Sequence, residues 1–261
     1  MLVDSHCHLD YFAETERSEV VARARAAGVG EMVTIATTLA ASAALRAIAA
    51  EQGVWATVGV HPHHAGEYWN EAGEGPSPES IAEETSHPRV VGIGESGLDY
   101  FYDKAPRPAQ QAGFRAHIRA ARLAGVPLAI HARDADADVA AILRDEWEKG
   151  GPFAFLLHCF SSGRELAQAA VELGGFISFS GILTFPRSEA LRAIARDLPA
   201  ERLLVETDSP YLAPVPLRGK RCEPAYVVHT AVRLAQVREI SPEALADLTT
   251  GNFHRLFTRA A

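Results

Sequence analysis

Eight short apolar runs, separated by stretches of helical periodicity, constrain this chain more than any other feature of its sequence. The runs cover residues 2–9, 31–36, 54–60, 90–95, 127–132, 153–160, 176–179 and 203–208. Most are continuously apolar, as parallel strands buried on both faces should be. Between them the spacing predicts helices over 16–27, 40–51, 109–124, 135–148, 164–173 and 188–197, with Gly28 and Gly125 placed to end two of them. Ser77-Pro78-Glu79 and Ser241-Pro242-Glu243 each read as a helix start, the second dividing a helical C-terminal region in two. Residues 65–78, rich in Gly, Glu and Pro, predict a surface loop. Strand and helix alternating eight times predict an α/β chain folded as a (β/α)8 TIM barrel. The length of 261 residues suits a single domain over 1–261. A doubly wound open sheet is the alternative, disfavoured because no Gly-x-Gly-x-x-Gly turn follows the first strand. Gly92 and Gly94 interrupt the fourth run, which marks close approach of a ligand or backbone, or simple barrel packing.

In a barrel of this kind the C-terminal ends of the strands meet on one face, where active sites are found. The ionisable residues at those ends are His6, His8, His61, Glu95, His131, His158 and Asp208. His6 and His8, at i and i+2 of an extended segment, offer both imidazoles to the same side. Burying several titratable groups together is costly unless something compensates their charges and lone pairs, and divalent metal does so. Cys7 and Cys159 each adjoin one of these histidines, so strand alternation should turn them away from the ion as small core residues. With Cys222 they form neither a Cys-x-x-Cys pair nor a disulfide framework, which fits a reducing cytosol. A formal net charge of -8 argues against a broad basic surface that coats nucleic acid. It leaves a polyanionic substrate open, because divalent ions in a pocket reverse the local sign. No apolar run approaches the roughly 20 residues of a membrane span, and no leader pattern precedes the first strand, so a cytoplasmic protein with no membrane role is expected.

The motifs Asp4-Ser5-His6-Cys7-His8-Leu9, Gly59-Val60-His61-Pro62, Gly92-Ile93-Gly94-Glu95-Ser96-Gly97-Leu98-Asp99-Tyr100, Ile130-His131-Ala132-Arg133-Asp134, Leu157-His158-Cys159-Phe160 and Glu206-Thr207-Asp208-Ser209-Pro210 together resemble the TatD-type metal-dependent deoxyribonucleases of the amidohydrolase superfamily. The likeness runs nearly end to end, through Ile177-Ser178-Phe179-Ser180-Gly181 and Arg218-Gly219-Lys220-Arg221 as well. It implies two divalent ions per chain, one held by His6, His8 and Asp208, the other by His131 and His158, with Glu95 bridging where many amidohydrolases use a modified lysine. Imidazole with carboxylate suits zinc or manganese, and magnesium is open on availability.

The activity implied by this resemblance is phosphodiester hydrolysis of DNA, of the 3'-5' exonuclease type, with metal-activated water as nucleophile and with Asp208 and Glu95 as the catalytic carboxylates. His61, His63 and Arg133 are candidates to grip phosphate, as is Arg218 in the basic run past the last strand. Glu206, two residues before Asp208, either holds a further ion or supports a ligand by hydrogen bonding. Cys222, Leu217 and Phe101 depart from the family pattern in loops that shape substrate entry. The same barrel and metals would also serve C–N or ester hydrolysis, including removal of D-amino acids from tRNA, or binding without turnover. DNA is expected as a transient substrate, with no stable protein partner.

Overall fold

The computed structural model describes residues 1–261. Its strands are β1 (Leu2–Cys7), β2 (Val29–Thr34), β3 (Val54–Val58), β4 (Val90–Asp99), β5 (Leu128–Arg133), β6 (Phe155–Leu157), β7 (Phe176–Phe179) and β8 (Leu203–Val205). They lie side by side in chain order in one sheet, and every neighbouring pair is parallel. The helices are α1 (Glu14–Ala26), α2 (Ser42–Ile48), α3 (Ala65–Tyr68), α4 (Pro78–Glu83), α5 (Arg107–Ala124), α6 (Asp136–Gly150), α7 (Arg164–Glu172), α8 (Glu189–Asp197), α9 (Val227–Arg238) and α10 (Pro242–Leu256). The first and last strands meet just beyond their ends. There the His8 amide donates to the Ser209 carbonyl at 2.8 Å and the Asp208 amide to the His6 carbonyl at 2.9 Å. The result is the expected TIM barrel and not an open sheet. No helix is long and apolar enough to cross a membrane.

Local chemistry sets the helix ends. Ser77 and Ser241 accept hydrogen bonds from the amides of Ser80 and Ala244, each just ahead of a proline. These are the caps their sequences predict. Gly125 ends α5 in the left-handed conformation, φ 65°.

Several boundaries differ from expectation; β1 and β3 end at Cys7 and Val58, which leaves His8 and His61 just beyond them. β6 and β8 stop at Leu157 and Val205, so His158, Glu206 and Asp208 stand past the strands. Cys159 and Asp208 take positive φ, 43° and 58°, which extended strands do not allow. The fourth strand, in contrast, continues to Asp99, pairing Gly97 with His131 and Asp99 with Arg133. Between Ile93 and Ser96 it spends three residues against the two from Leu128 to Ile130 on β5. That bulge contains Gly94 and Glu95, and bulges re-aim side chains beside active sites. Gly94 has φ 116°, and a Cβ there would lie 2.6 Å from the Ala129 carbonyl oxygen. Close backbone packing therefore accounts for this glycine. The surface loop expected over 65–78 instead begins with α3 and buries Trp69 against Gly113 of α5. A tryptophan among glycines and glutamates gives no local sign of that partner.

The lower barrel interior holds its own apolar cluster, including Val3, Val91, Ala129, Leu156, Phe176 and Leu204 from the strands. Phe253, Leu256 and Phe257, from α10 and its end, close it from below. Along the chain, His131, His158 and Glu206 lie two residues beyond Ala129, Leu156 and Leu204. Strand periodicity sets His131 above Ala129 within β5, and the segments just past β6 and β8 bring His158 and Glu206 to the same polar ceiling above the apolar floor. Phe253 is fully buried. Phe253→Ala should lower the unfolding free energy by about 3–5 kcal/mol, read from urea denaturation, whereas the exposed Leu123→Ala should stay within about 0.5 kcal/mol.

Candidate metal centre

Glu95, carried by the bulge of β4 and 3% exposed, sits where the strand ends converge. Its two oxygens face different partners. Oε2 lies 3.5 Å from His6 Nε2 and 3.9 Å from His8 Nε2, while Oε1 lies 2.8 Å from His131 Nδ1, 2.7 Å from His158 Nε2 and 3.4 Å from His61 Nε2. Asp208 completes the first side, its Oδ1 3.7 Å from His6 Nε2 and 3.5 Å from His8 Nε2. All six residues expected to hold metal are therefore gathered at one point.

Hydrogen bonds on the far side of each ring fix which nitrogen faces inward. His8 Nδ1 donates to the Ile35 carbonyl at 3.3 Å, His131 Nε2 to Asp99 Oδ2 at 3.1 Å and His158 Nδ1 to Glu206 Oε1 at 3.3 Å. When these rings are neutral, the opposite nitrogens carry lone pairs aimed at Glu95 and Asp208. Lone pairs facing carboxylate oxygens repel unless a proton or a metal cation stands between them. His6 makes the need plain, since both of its ring nitrogens are buried without a hydrogen-bond partner. Its ring also stacks on that of His158, centroids 3.8 Å apart. Three groupings bring ligand atoms close enough for an ion: His6 with His8 and Asp208, His6 with Glu95 and His158, and His61 with Glu95 and His131. This donor set fits a divalent cation of the zinc or manganese kind.

The charges respond accordingly. Burial pushes the His158 imidazolium down, but the Glu95 and Glu206 carboxylates outweigh it and hold the group well above its ordinary value. Burial pushes Glu95 up, yet His158, His61 and the hydrogen bond from His131 bring it well below the usual carboxylate range. Asp208 is lowered in the same way, its burial overcome by His8, His6 and His158.

The expected phosphate-binding residues divide. His61 lies inside the cluster, its Nδ1 accepting from the His63 amide at 3.0 Å, so its Nε2 carries the proton and points at Glu95. Burial holds it neutral, with its pKa lowered to about 4. His63 donates to Asp99 at 2.8 Å. His61, His63 and Arg133 all line a pocket of about 460 Å³ over the cluster. Arg218 does not: it is exposed and lies over the Phe185 ring at 3.7 Å. The neighbouring Arg221 is tied to Glu16 and the Tyr11 carbonyl. Cys7 is a buried core residue as expected. Cys159 is not turned away, because strand alternation ends at Leu157 and the left-handed turn sets it in the pocket wall. Burial and nearby carboxylates raise its thiol well above the ordinary value, so it makes a poor nucleophile.

Asp99 and Asp4 carry no role in the sequence reading. Asp99 Oδ2 joins His63 to His131. A signal existed, since Asp99 lies four residues beyond Glu95 on the same strand. Asp4, pushed up to about 8 mainly by burial, accepts from the Thr207 amide at 2.9 Å, the Thr207 hydroxyl at 2.6 Å and the His6 amide at 3.3 Å. It thereby ties β1 to the segment that carries Glu206 and Asp208. Glu206 Oε1 accepts from His158 Nδ1 and, at 2.7 Å, from the Cys159 amide, while its Oε2 is buried without a hydrogen-bond partner.

Known proteins share this arrangement of sequence and fold. The sequence profile of the family described as "TatD related DNase" matches residues 3–258. An uncharacterized metal-dependent hydrolase of Escherichia coli strain K12, YcfH, is 42% identical over 98% of this chain and 95% of its own length. A protein of Citrobacter rodentium named 3'-5' ssDNA/RNA exonuclease TatD is 38% identical over 93% of this chain and 92% of its own. The crystal structure of YJJV, a TatD homolog from Escherichia coli K12, superimposes with a TM-score of 0.87 at 27% identity, covering 98% of each chain.

An imidazole must be neutral to bind metal. Loading this centre at neutral pH should therefore release a proton from His158, and affinity for manganese or zinc should rise with pH until the raised His158 pKa is passed. Because that pKa lies above the unfolded value, its contribution to the chelated protein's stability is present at low pH and lost as pH rises through it. Calorimetry in buffers of different ionisation enthalpy reads the proton, and melting temperature against pH with and without chelator reads the stability. Metal binding without proton release would contradict the assignment.

Proposed function

The chain belongs to the TatD-related DNase family and is a metal-dependent hydrolase acting on ester bonds, and from that premise we propose that it is a two-metal phosphodiesterase that removes nucleotides from the 3' ends of DNA strands. The observation carrying this reading is Glu95, which offers one oxygen to His6 and His8 and the other to His131 and His158. A carboxylate that faces two clusters in this way suits two cations gripping one displacement. The exonuclease name of the Citrobacter relative supports nucleic acid as substrate. We assign His6, His8 and Asp208 to one ion, His131 and His158 to the second, and Glu95 to both. Zinc, manganese or magnesium fits. When bound, such ions lower the pKa of water and stabilise charge on phosphoryl oxygens.

The chain's own residues supply the rest. Asp208 keeps 15% side-chain exposure toward the pocket, the access a proton acceptor needs, and its lowered pKa keeps it ionised and able to orient the attacking water. His61 stays neutral and holds its Nε2 proton at the centre, ready to donate to a phosphoryl oxygen. Its position is set by His117, whose Nε2 accepts from the Val60 amide at 3.0 Å while Nδ1 donates to the Gly113 carbonyl at 2.7 Å. Arg133 and Lys104, exposed in the pocket wall, give the acidic chain a local positive face for a phosphate chain. Three free cysteines, Cys7, Cys159 and Cys222, favour a reducing compartment such as the cytosol. We read residues 1–261 as one hydrolase domain.

Chelation should abolish hydrolysis of an end-labelled DNA strand, and added manganese, magnesium or zinc should restore it. Asp208→Asn should lower kcat by about 100-fold or more, with the far-UV spectrum unchanged. Full activity in that variant would remove the proposed proton acceptor. Cleavage of an aminoacyl-tRNA ester but of no phosphodiester would move the reaction to the alternative class.

A further inference from the structure

Four aromatic side chains of this chain stand exposed, Tyr11, Phe101, Tyr102 and Tyr211, and every one of them is at the mouth of the metal pocket. Tyr11, Tyr102 and Tyr211 line it, and Phe101 packs edge-on against Tyr102 at 4.9 Å. The remaining phenylalanines, tyrosines and tryptophans are at least partly covered. Leaving large rings in water has no folding advantage, so their collection at one opening calls for an occupant.

The four form two pairs on different sides of the centre. Tyr11 and Tyr211 meet at 84° with centroids 6.3 Å apart, and both lie against His8, Tyr11 stacked on it at 5.0 Å. Phe101 and Tyr102 meet at 90° beside His63, whose ring is 5.4 Å from that of Tyr102. His8 faces Oε2 of Glu95, and His63 reaches the Oε1 side through Asp99 and His131. The reacting bond must therefore lie between the pairs. The second pair also carries positive charge, with the Arg133 guanidinium 4.4 Å from the Phe101 ring and 5.1 Å from Tyr102, and Lys104 5.6 Å from Tyr102. Rings that offer a stacking surface, next to cations that neutralise phosphate, match an unpaired nucleic-acid strand. A folded duplex has no bases free to stack there.

Resting on the phosphodiesterase reading above, we propose that the Tyr11–Tyr211 and Phe101–Tyr102 pairs are base-stacking platforms that flank the reacting phosphodiester, the side chains through which this chain would read the kind of single strand named for its Citrobacter relative. Selection by phosphate alone would need no aromatic rim. The side chains act on binding, so their loss should appear in KM more than in kcat.

The test uses the metal-loaded protein and three end-labelled substrates: a single DNA strand, the same strand with its terminal nucleotides abasic, and a blunt duplex. Tyr211→Leu and Tyr102→Leu, both at exposed positions, should each raise KM for the plain strand about 10-fold, the loss of one base–aromatic stack, with kcat nearly unchanged. Tyr211→Phe and Tyr102→Phe should bind as the parent does, because the ring is kept. On the abasic strand, which offers a base to neither pair, the parent's KM should rise about 100-fold, the loss of two stacks, and the leucine variants should there be close to the parent. Equal KM for plain and abasic strands, or leucine variants indistinguishable from the parent on the plain strand, would overturn the platforms while leaving the phosphodiesterase standing. Absence of hydrolysis on every strand with each metal would overturn the phosphodiesterase reading and the platforms with it.

Discussion

Glu95 is a carboxylate almost out of contact with solvent whose oxygens look onto five imidazoles, three on one side and two on the other. Such a group tolerates burial only in company with positive charge, because an isolated ionised carboxylate is costly in a low-dielectric interior. The surrounding rings in turn tolerate their inward lone pairs only if a proton or a metal ion sits among them. Carboxylate and imidazoles therefore define each other's protonation. The bulge in β4 is the backbone device that makes this possible, since it delivers Glu95 inward at the height where the other strands end.

Around this centre the fold works outward in layers of hydrogen bonds. Asp99, Glu206 and the Ile35 carbonyl each take the outer proton of a histidine and so decide which nitrogen faces inward. Asp4 holds the segment after β8 against β1 and thereby sets the position of Asp208 relative to His6 and His8. Mispositioning any of these anchors would cost function without touching a ligand. Below them the apolar floor sealed by the end of α10 keeps water from the underside of the centre. At its mouth the polarity reverses, with exposed rings and cations in the wall. A chain with net charge -8 thus presents a cationic, aromatic opening over an acidic and basic interior.

Much of the site was legible because ligand chemistry restricts residue type. His6, His8, Glu95, His131, His158 and Asp208 could be picked out one strand at a time, and the barrel was readable from eight repeats of apolar run and helix. Arg218 does not line the pocket, because proximity in sequence to Asp208 does not say where the intervening loop turns, and in the structure its guanidinium rests on Phe185. Cys159 was misread because alternation holds only within a strand, and β6 ends two residues before it. Trp69 was lost in a loop composition that hides its packing on α5.

The sequence by itself determined the fold class and the residue types that gather at the candidate centre, because apolar periodicity and residue type are local properties that each segment carries alone. Only the tertiary structure decided which oxygen of Glu95 faces which histidine, which ring nitrogen is free, and that Asp4 and Asp99 belong to the site. Those choices depend on a register slip between two strands and on left-handed turns at Cys159 and Asp208. Contacts between residues as far apart as Asp4 and Thr207 hold these features in place. No local pattern encodes them, since their stability comes from the partner across the barrel.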